Sequence, residues 1–203
     1  MTFKFFFAIL SFPFLATAQN KDSTFLASNF NFRIELNKEF GDSLDSPLKE
    51  VDRLKFKHLD FFSLNSDYCV MAKVERIDTA KAFAMATTTG KKAIYQKYAL
   101  LRFRLDEQEQ QLFVYQSHRL MLIEGYEDYL FLPFSDESNG VESYGGGRFI
   151  DLRIVKGDSV LIDFNKAYNP YCAYNEKYSC PIPPKENHLK IKVLAGVKAP
   201  QAH

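Results

Sequence analysis

The sequence predicts a mainly β, α+β fold: an antiparallel β-barrel or sandwich with two N-terminal helices packed on it. Three observations carry this reading. Apolar residues recur at helical spacing only before Leu59, and beyond it the period drops to two, as in half-buried strands. Short strand-like runs then follow one another, separated by turn residues at nearly regular intervals. Finally, no repeat, low-complexity segment or linker interrupts residues 19–203, which read as one domain.

The chain opens with an export signature. Lys4 supplies a positive start, residues 5–15 are an apolar run, and Ala16-Thr17-Ala18 is a small-x-small cleavage site before polar Gln19-Asn20-Lys21-Asp22. The run is too short to span a bilayer, and no cysteine stands at the cleavage point to take a lipid. We expect residues 1–18 to be a signal peptide and the mature protein to be periplasmic or secreted, without a membrane span. Cleavage removes Lys4 and no acid, leaving 25 basic and 25 acidic residues. That balance argues against a nucleic acid partner, which needs a phosphate-matching basic face.

Residues 23–41 form the first expected helix, with Ser23 as N-cap, Gly41 as stop, and Phe25, Leu26, Phe30, Ile34 and Phe40 as its apolar face. A second is expected from Ser46-Pro47, carrying Leu48, Val51 and Leu54. Residues 70–77 (VMAKVERI) alternate apolar and charged, and 83–88 continue as strand. A hairpin pairs 98–105 with 111–116 across a polar turn at 106–110. Strands are expected at 129–134, 148–155, 160–164 and 189–194, with Lys156-Gly157-Asp158 as a tight turn.

Candidate chemistry concentrates in residues 131–188. The loop 135–147 is thirteen residues of mostly Ser, Asp, Glu, Asn and Gly between two strands, a length usually functional or disordered. If its flanking strands pair, Asp136 and Glu142 approach Arg148. Two carboxylates beside a guanidinium suit acid–base work, cation binding or the clamping of a polar ligand; a solvated acidic loop neutralised by Arg148 explains the spacing as well. Gly145-Gly146-Gly147 permits backbone amides to line up toward an anion, but lacks the spacing and lysine of a phosphate loop. Asp163 and Asn165 share a strand end that points either into a turn or toward Arg148, and Asn169-Pro170 reads as a turn.

Cys172, Cys180 and His188 are separated by seven residues each. In an oxidising compartment the two cysteines are expected to form a disulfide; zinc is the weaker alternative, because the spacing is wide and no fourth ligand is evident. Cys69 lies in an apolar run and reads as a buried free thiol. No cofactor motif and no G-x-S-x-G elbow is present, and His58 and His118 read as surface residues.

FLPF-x-D, E-x-YGGGRF-x-D, LIDFN-x-AYNP-x-CAY, CPIPP-x-EN-x-L and AGV together resemble the family called domain of unknown function 1684, over nearly the whole mature chain. The resemblance marks Asp136, Glu142, Tyr144, Gly145–Gly147, Arg148, Asp163, Asn165, Asn169, Cys172, Cys180, Glu186 and Asn187 as family positions. It implies no activity, and it weakens both the metal set and a purely disulfide role for the cysteines. Three functional readings follow. One is a pocket between loop 135–147 and segment 163–187 that binds a small polar or anionic ligand, with Arg148 and the glycine amides at its positive end and Tyr144 and Tyr168 as walls. The second is a hydrolase-like or isomerase-like enzyme with Asp136 or Glu142 as base and Arg148 holding an oxyanion. In the third, the motif residues are purely structural.

Overall fold

In the computed structural model, residues 15–200 are described. The expected signal segment lies outside the described residues except for Leu15–Ala18, which open the first helix. That helix, α1 (Leu15–Gly41), is followed by a single turn, α2 (Glu50–Arg53). The strands are β1 (Cys69–Arg76), β2 (Phe83–Met85), β3 (Ala93–Leu105), β4 (Gln108–Ser117), β5 (Tyr129–Asp136), β6 (Arg148–Arg153), β7 (Ser159–Asp163) and β8 (His188–Leu189). Together they make a mainly antiparallel sheet curled into a half-barrel.

The strand order is β6-β5-β4-β3-β1-β7, with β2 on β3 and β8 parallel to β5. The expected tight turn at 156–158 therefore does not close a hairpin: β6 and β7 lie at opposite edges. Their connection is what shows the curl. Arg153 to Ser159 is six Cα steps, at most about 21 Å fully extended. The outer strands of a flat six-strand row would stand about 24 Å apart. The β3–β4 hairpin turns on Asp106 and Glu107 alone, both at positive φ (52° and 57°), as a two-residue turn matched to strand twist requires.

Because the sheet curls, it has two buried faces. Leu101, Val114, Leu132, Ile150 and Ile162 fill the concave side, while Tyr95, Tyr115, Phe131 and Phe149 form a second cluster on the convex side. Successive residues of β5 serve these faces alternately, which explains its continuous apolar run YLFLPF. Each large side chain so enclosed contributes about 1.5–3 kcal/mol of burial.

The face of α1 that packs is the expected one only in part: Phe40 is buried and Phe25 half-buried. Leu26, Phe30 and Ile34 are exposed, whereas Asn29, Leu36 and Phe40 are buried. The helix turns Asn29 inward because Asp163 at the end of β7 accepts from its amide at 2.8 Å. The second expected helix shrinks to one turn with Val51 and Leu54 exposed. Ser46 Oγ donates to Phe40 O and accepts from Leu48 N–H, so it joins the helix end to the following turn instead of capping a new helix.

Candidate functional site

The loop 135–147 folds back as its length required, since β5 and β6 pair with Phe134 opposite Arg148. This brings Asp136 and Arg148 together at 2.9 Å, both fully enclosed side chains. Asp136 Oδ1 accepts from the N–H groups of Ser138 and Val193, and Oδ2 accepts from Arg148 and Asn139. All four lone-pair directions of a carboxylate are thereby occupied. Arg148 donates in turn to Val193 O at 2.7 Å and Ala195 O at 2.5 Å. Burial pulls its guanidinium below the ordinary value, with the Asp136 charge opposing.

This geometry accounts for the C-terminal segment. Residues 191, 193, 195 and 197 alternate inward as strand residues do, but only His188–Leu189 pair with a neighbouring strand. Beyond them, Asp136 and Arg148 present an acceptor and donors to the main chain of 193–195, where a strand partner would stand. Buried backbone groups must be paired, and here an ion pair does it.

Three asparagines act in the same way. Asn187 Oδ1 accepts from Phe113 N–H while its Nδ2 donates to Phe113 O and Pro133 O. It fills the place where β4 and β5 pair through a single register, Tyr115 opposite Phe131. Asn165 takes both backbone groups of Asn65 and also donates to Asp163 Oδ1. Asn169 donates to Lys198 O and to the Tyr174 hydroxyl. Asp163 and Asn165 thus form a knot with Asn29 and Asn65, not a pocket wall with Arg148.

The other expected site residues are dispersed. Glu142 pairs with Lys192 at 2.6 Å and does not touch Arg148. Glu186 pairs with Lys97 at 3.0 Å, and that partner holds its carboxyl below the ordinary value. Gly147 N–H donates to Tyr144 O at 3.1 Å. Gly147 adopts φ 83°, and a Cβ there would lie 2.6 Å from Phe134 O; Gly145 and Gly146 are exposed. A Cβ on Gly146 would lie 2.4 Å from the Tyr144 ring.

The expected disulfide is absent. Cys172 and Cys180 are neighbouring free thiols, with Cys172 N–H donating to Cys180 Sγ at 3.2 Å. Burial, first among causes, pushes the Cys180 thiol up to about 12, which suppresses the thiolate that disulfide chemistry needs. Cys69 is also free, pushed up to about 11 by burial and then by Asp163. His188 sits between Ser135 and Glu137, away from any metal set, and among the described residues no three ligating side chains converge.

What sequence reasoning passed over is Asp151, the last residue of the YGGGRF-x-D motif. It sits on the convex face of β6, exposed, and its Oδ1 accepts hydroxyl hydrogen bonds from Tyr129 at 2.6 Å and Tyr168 at 2.7 Å. No described residue donates to Oδ2. Burial, and then the Asp151 charge, raise both tyrosines well above their ordinary values, so both stay protonated donors. Asp151 lies in a groove of about 620 Å³ between α1, the convex sheet face and segment 168–181. Phe131, Phe149, Tyr95 and Tyr171 give it an aromatic wall, with Phe131 and Phe149 edge to face at 4.7 Å. Its carboxylates are Glu35, Glu39, Asp42, Asp45 and Asp151, against one base, Lys38. The signal for it was present in alternation: Tyr129, Phe131, Phe149 and Asp151 all occupy the outward register of β5 and β6.

No helix among the described residues is long and apolar enough to cross a membrane. No functionally curated protein matches the chain. The solution structure of an uncharacterised protein from Haloarcula marismortui is similar over 91% of this chain and 97% of that one, with 31% identity and a TM-score of 0.69. Residues 54–198 match the model of the family described as protein of unknown function DUF1684, which takes in the ion pair, the buried asparagines and the Asp151 tyrosines. The chain belongs to the DUF1684 family.

Proposed function

We propose that this is an exported binding protein that takes a small organic cation in the aromatic groove around Asp151. The observation that carries the reading is a division within the family motif. Asp136, Arg148, Asn165, Asn169 and Asn187 are buried and hydrogen-bonded to other parts of the chain, with only Arg148 Nε and Asn169 Oδ1 left without a partner among the described residues, whereas Phe149, Asp151, Tyr168, Pro170 and Tyr171 line the groove. Two tyrosine hydroxyls fix the Asp151 carboxylate, and aromatic faces around it favour a cation by about 0.5–2 kcal/mol. The anionic ligand expected at Arg148 gives way to a ligand of opposite charge, because the accessible cavity carries acids and the guanidinium is enclosed. Binding is favoured over catalysis, since Asp151 Oδ1 is already engaged by two tyrosine hydroxyls. Removal of the first eighteen residues leaves every groove residue in place, as the nearest is Phe32.

Calorimetric titration with choline and with its neutral carbon isostere, 3,3-dimethylbutanol, tests the assignment. Choline is expected to bind about tenfold more tightly than the isostere, the ratio that about 1.4 kcal/mol represents. Asp151→Asn, at an exposed position, should remove that preference while the circular dichroism spectrum stays unchanged. Equal binding of the two compounds, or an unaltered preference in Asp151→Asn, would overturn the reading.

A further inference from the structure

The half-barrel has two ends, and they differ. At one end Phe134 stands opposite Arg148, and the Asp136–Arg148 pair with the 193–195 main chain closes the concave side. Four residues along the same strand pair, about 13 Å away at strand rise, Leu130 stands opposite Leu152. Here nothing closes it. A cavity of about 470 Å³ opens between β6 and β7, under the connection 154–157. Every strand of the curled row contributes an inward apolar side chain: Val74, Leu101, Val114, Leu130, Leu152 and Val160. This volume falls within the roughly 300–1,000 Å³ of small-molecule sites, and barrel mouths are a recurrent place for them.

The rim is cationic. Arg76, Arg153 and Lys156 line it and no carboxylate does. Arg153 is neutralised by Asp128 at 2.6 Å, just outside the lining. Arg76 lies over the Tyr98 ring at 3.5 Å, and neither it nor Lys156 has an acidic partner within ion-pair distance among the described residues. An apolar cup with unpaired positive charge at its lip complements one kind of molecule, a hydrocarbon chain with a negative head.

We infer that the open mouth of the half-barrel binds a single-chain anionic amphiphile, its chain among the six inward side chains and its head at Arg76 and Lys156. This site shares no lining residue with the Asp151 groove, so the two stand or fall separately.

The test is calorimetric titration of the full mature chain with decanoate, decyl phosphate, decanol and decyltrimethylammonium, all below micelle-forming concentrations. Decanoate or decyl phosphate should bind at least tenfold more tightly than decanol, with a negative heat-capacity change from chain burial; comparing the two acids distinguishes a carboxylate from a phosphate head. In the Asp151→Asn protein, whose groove has lost its preference for a cation, the cationic amphiphile should bind least. Arg76→Ser combined with Lys156→Ser, both exposed positions, is expected to weaken the acid roughly tenfold and leave decanol unchanged, while Asp151→Asn leaves the two acids and decanol unaffected. If decanol, or the cation in the Asp151→Asn protein, binds as well as the acids, if the double variant keeps full affinity, or if neither acid binds, the inference is wrong.

Discussion

Arg148→Ala is expected to lower the unfolding free energy by about 3–5 kcal/mol, the cost of stranding one partner of a buried ion pair. For a domain of this size that corresponds to a fall in the thermal midpoint of roughly 6–20 °C. Three losses coincide: Asp136 loses its guanidinium partner, and the carbonyls of Val193 and Ala195 lose their donors. A second expectation separates this arrangement from an ordinary buried pair. Replacing both members by apolar residues is often neutral or stabilising elsewhere. Here Asp136→Leu with Arg148→Met should remain strongly destabilised, because Val193 N–H, Val193 O and Ala195 O would all be buried without partners, at about 1–3 kcal/mol each. Arg148→Lys should restore only part of the loss, since a single ammonium lacks the planar fork that reaches Asp136 and two carbonyls together. Urea unfolding followed by circular dichroism gives each value. A shift below about 1 kcal/mol for Arg148→Ala, within the range of ordinary surface changes, would mean that the pair is not holding the C-terminal segment.

Asn187→Ala should cost about 3 kcal/mol or more, a large effect for one uncharged side chain. The amide serves three backbone groups, Phe113 N–H, Phe113 O and Pro133 O, and each left unpaired carries a penalty of about 1–3 kcal/mol, reduced where water reaches it. Asn187→Asp makes a sharper comparison. It keeps the acceptor for Phe113 N–H but sets a carboxylate against two carbonyl oxygens, so it should be no more stable than the alanine variant. Amide hydrogen exchange locates the damage: Phe113 should lose protection in Asn187→Ala, while the β1–β3 ladder is expected to retain it. Uniform loss of protection across the sheet, or unchanged protection at Phe113, would contradict the role given to this side chain.

Much of the scaffold was legible before any coordinates. Period two marks β1, β3, β4 and β7 because each has one face toward the core. The helical spacing of 23–41 is real, yet of the face it marked Phe40 is buried while Leu26, Phe30 and Ile34 are exposed. Periodicity weighs apolar residues alone, whereas α1 is also turned by an amide–carboxylate bond between Asn29 and Asp163, residues 134 apart in sequence. The same limit explains the C-terminal segment. Its alternation reads as a strand, and it is inward-alternating chain, but its partners are the side chains of Asp136 and Arg148. Sequence has no marker for a guanidinium standing where a strand would be. Position of the two sheet edges was illegible for another reason: a short turn signal at 156–158 looks the same whether it closes a hairpin or bridges a curled sheet.

The candidate site shows the division most clearly. The motif stretch drew attention through its charges and glycines, and its buried pair, Asp136 and Arg148, is bonded to the chain itself. Gly147 is required by its positive φ and by the Phe134 carbonyl at its back, not by a phosphate. Asp151, by contrast, looked ordinary within an alternating strand. Its significance rests on Tyr129 and Tyr168 converging on one carboxylate oxygen, a meeting of β5, β6 and the segment after β7 that only the fold produces. Charge composition misled similarly, since a balanced chain gives no hint that its acids gather at one groove and its unpaired bases at the barrel mouth.

The most direct test of the account is a two-dimensional amide spectrum of the labelled mature protein titrated with choline. The account predicts shifts in the backbone resonances of Tyr129, Asp151, Tyr168 and Tyr171, with those of Asp136 and Gly145–Arg148 unmoved. Shifts concentrated at 136–148 instead would return the ligand to the glycine loop and contradict the assignment of that stretch to the scaffold.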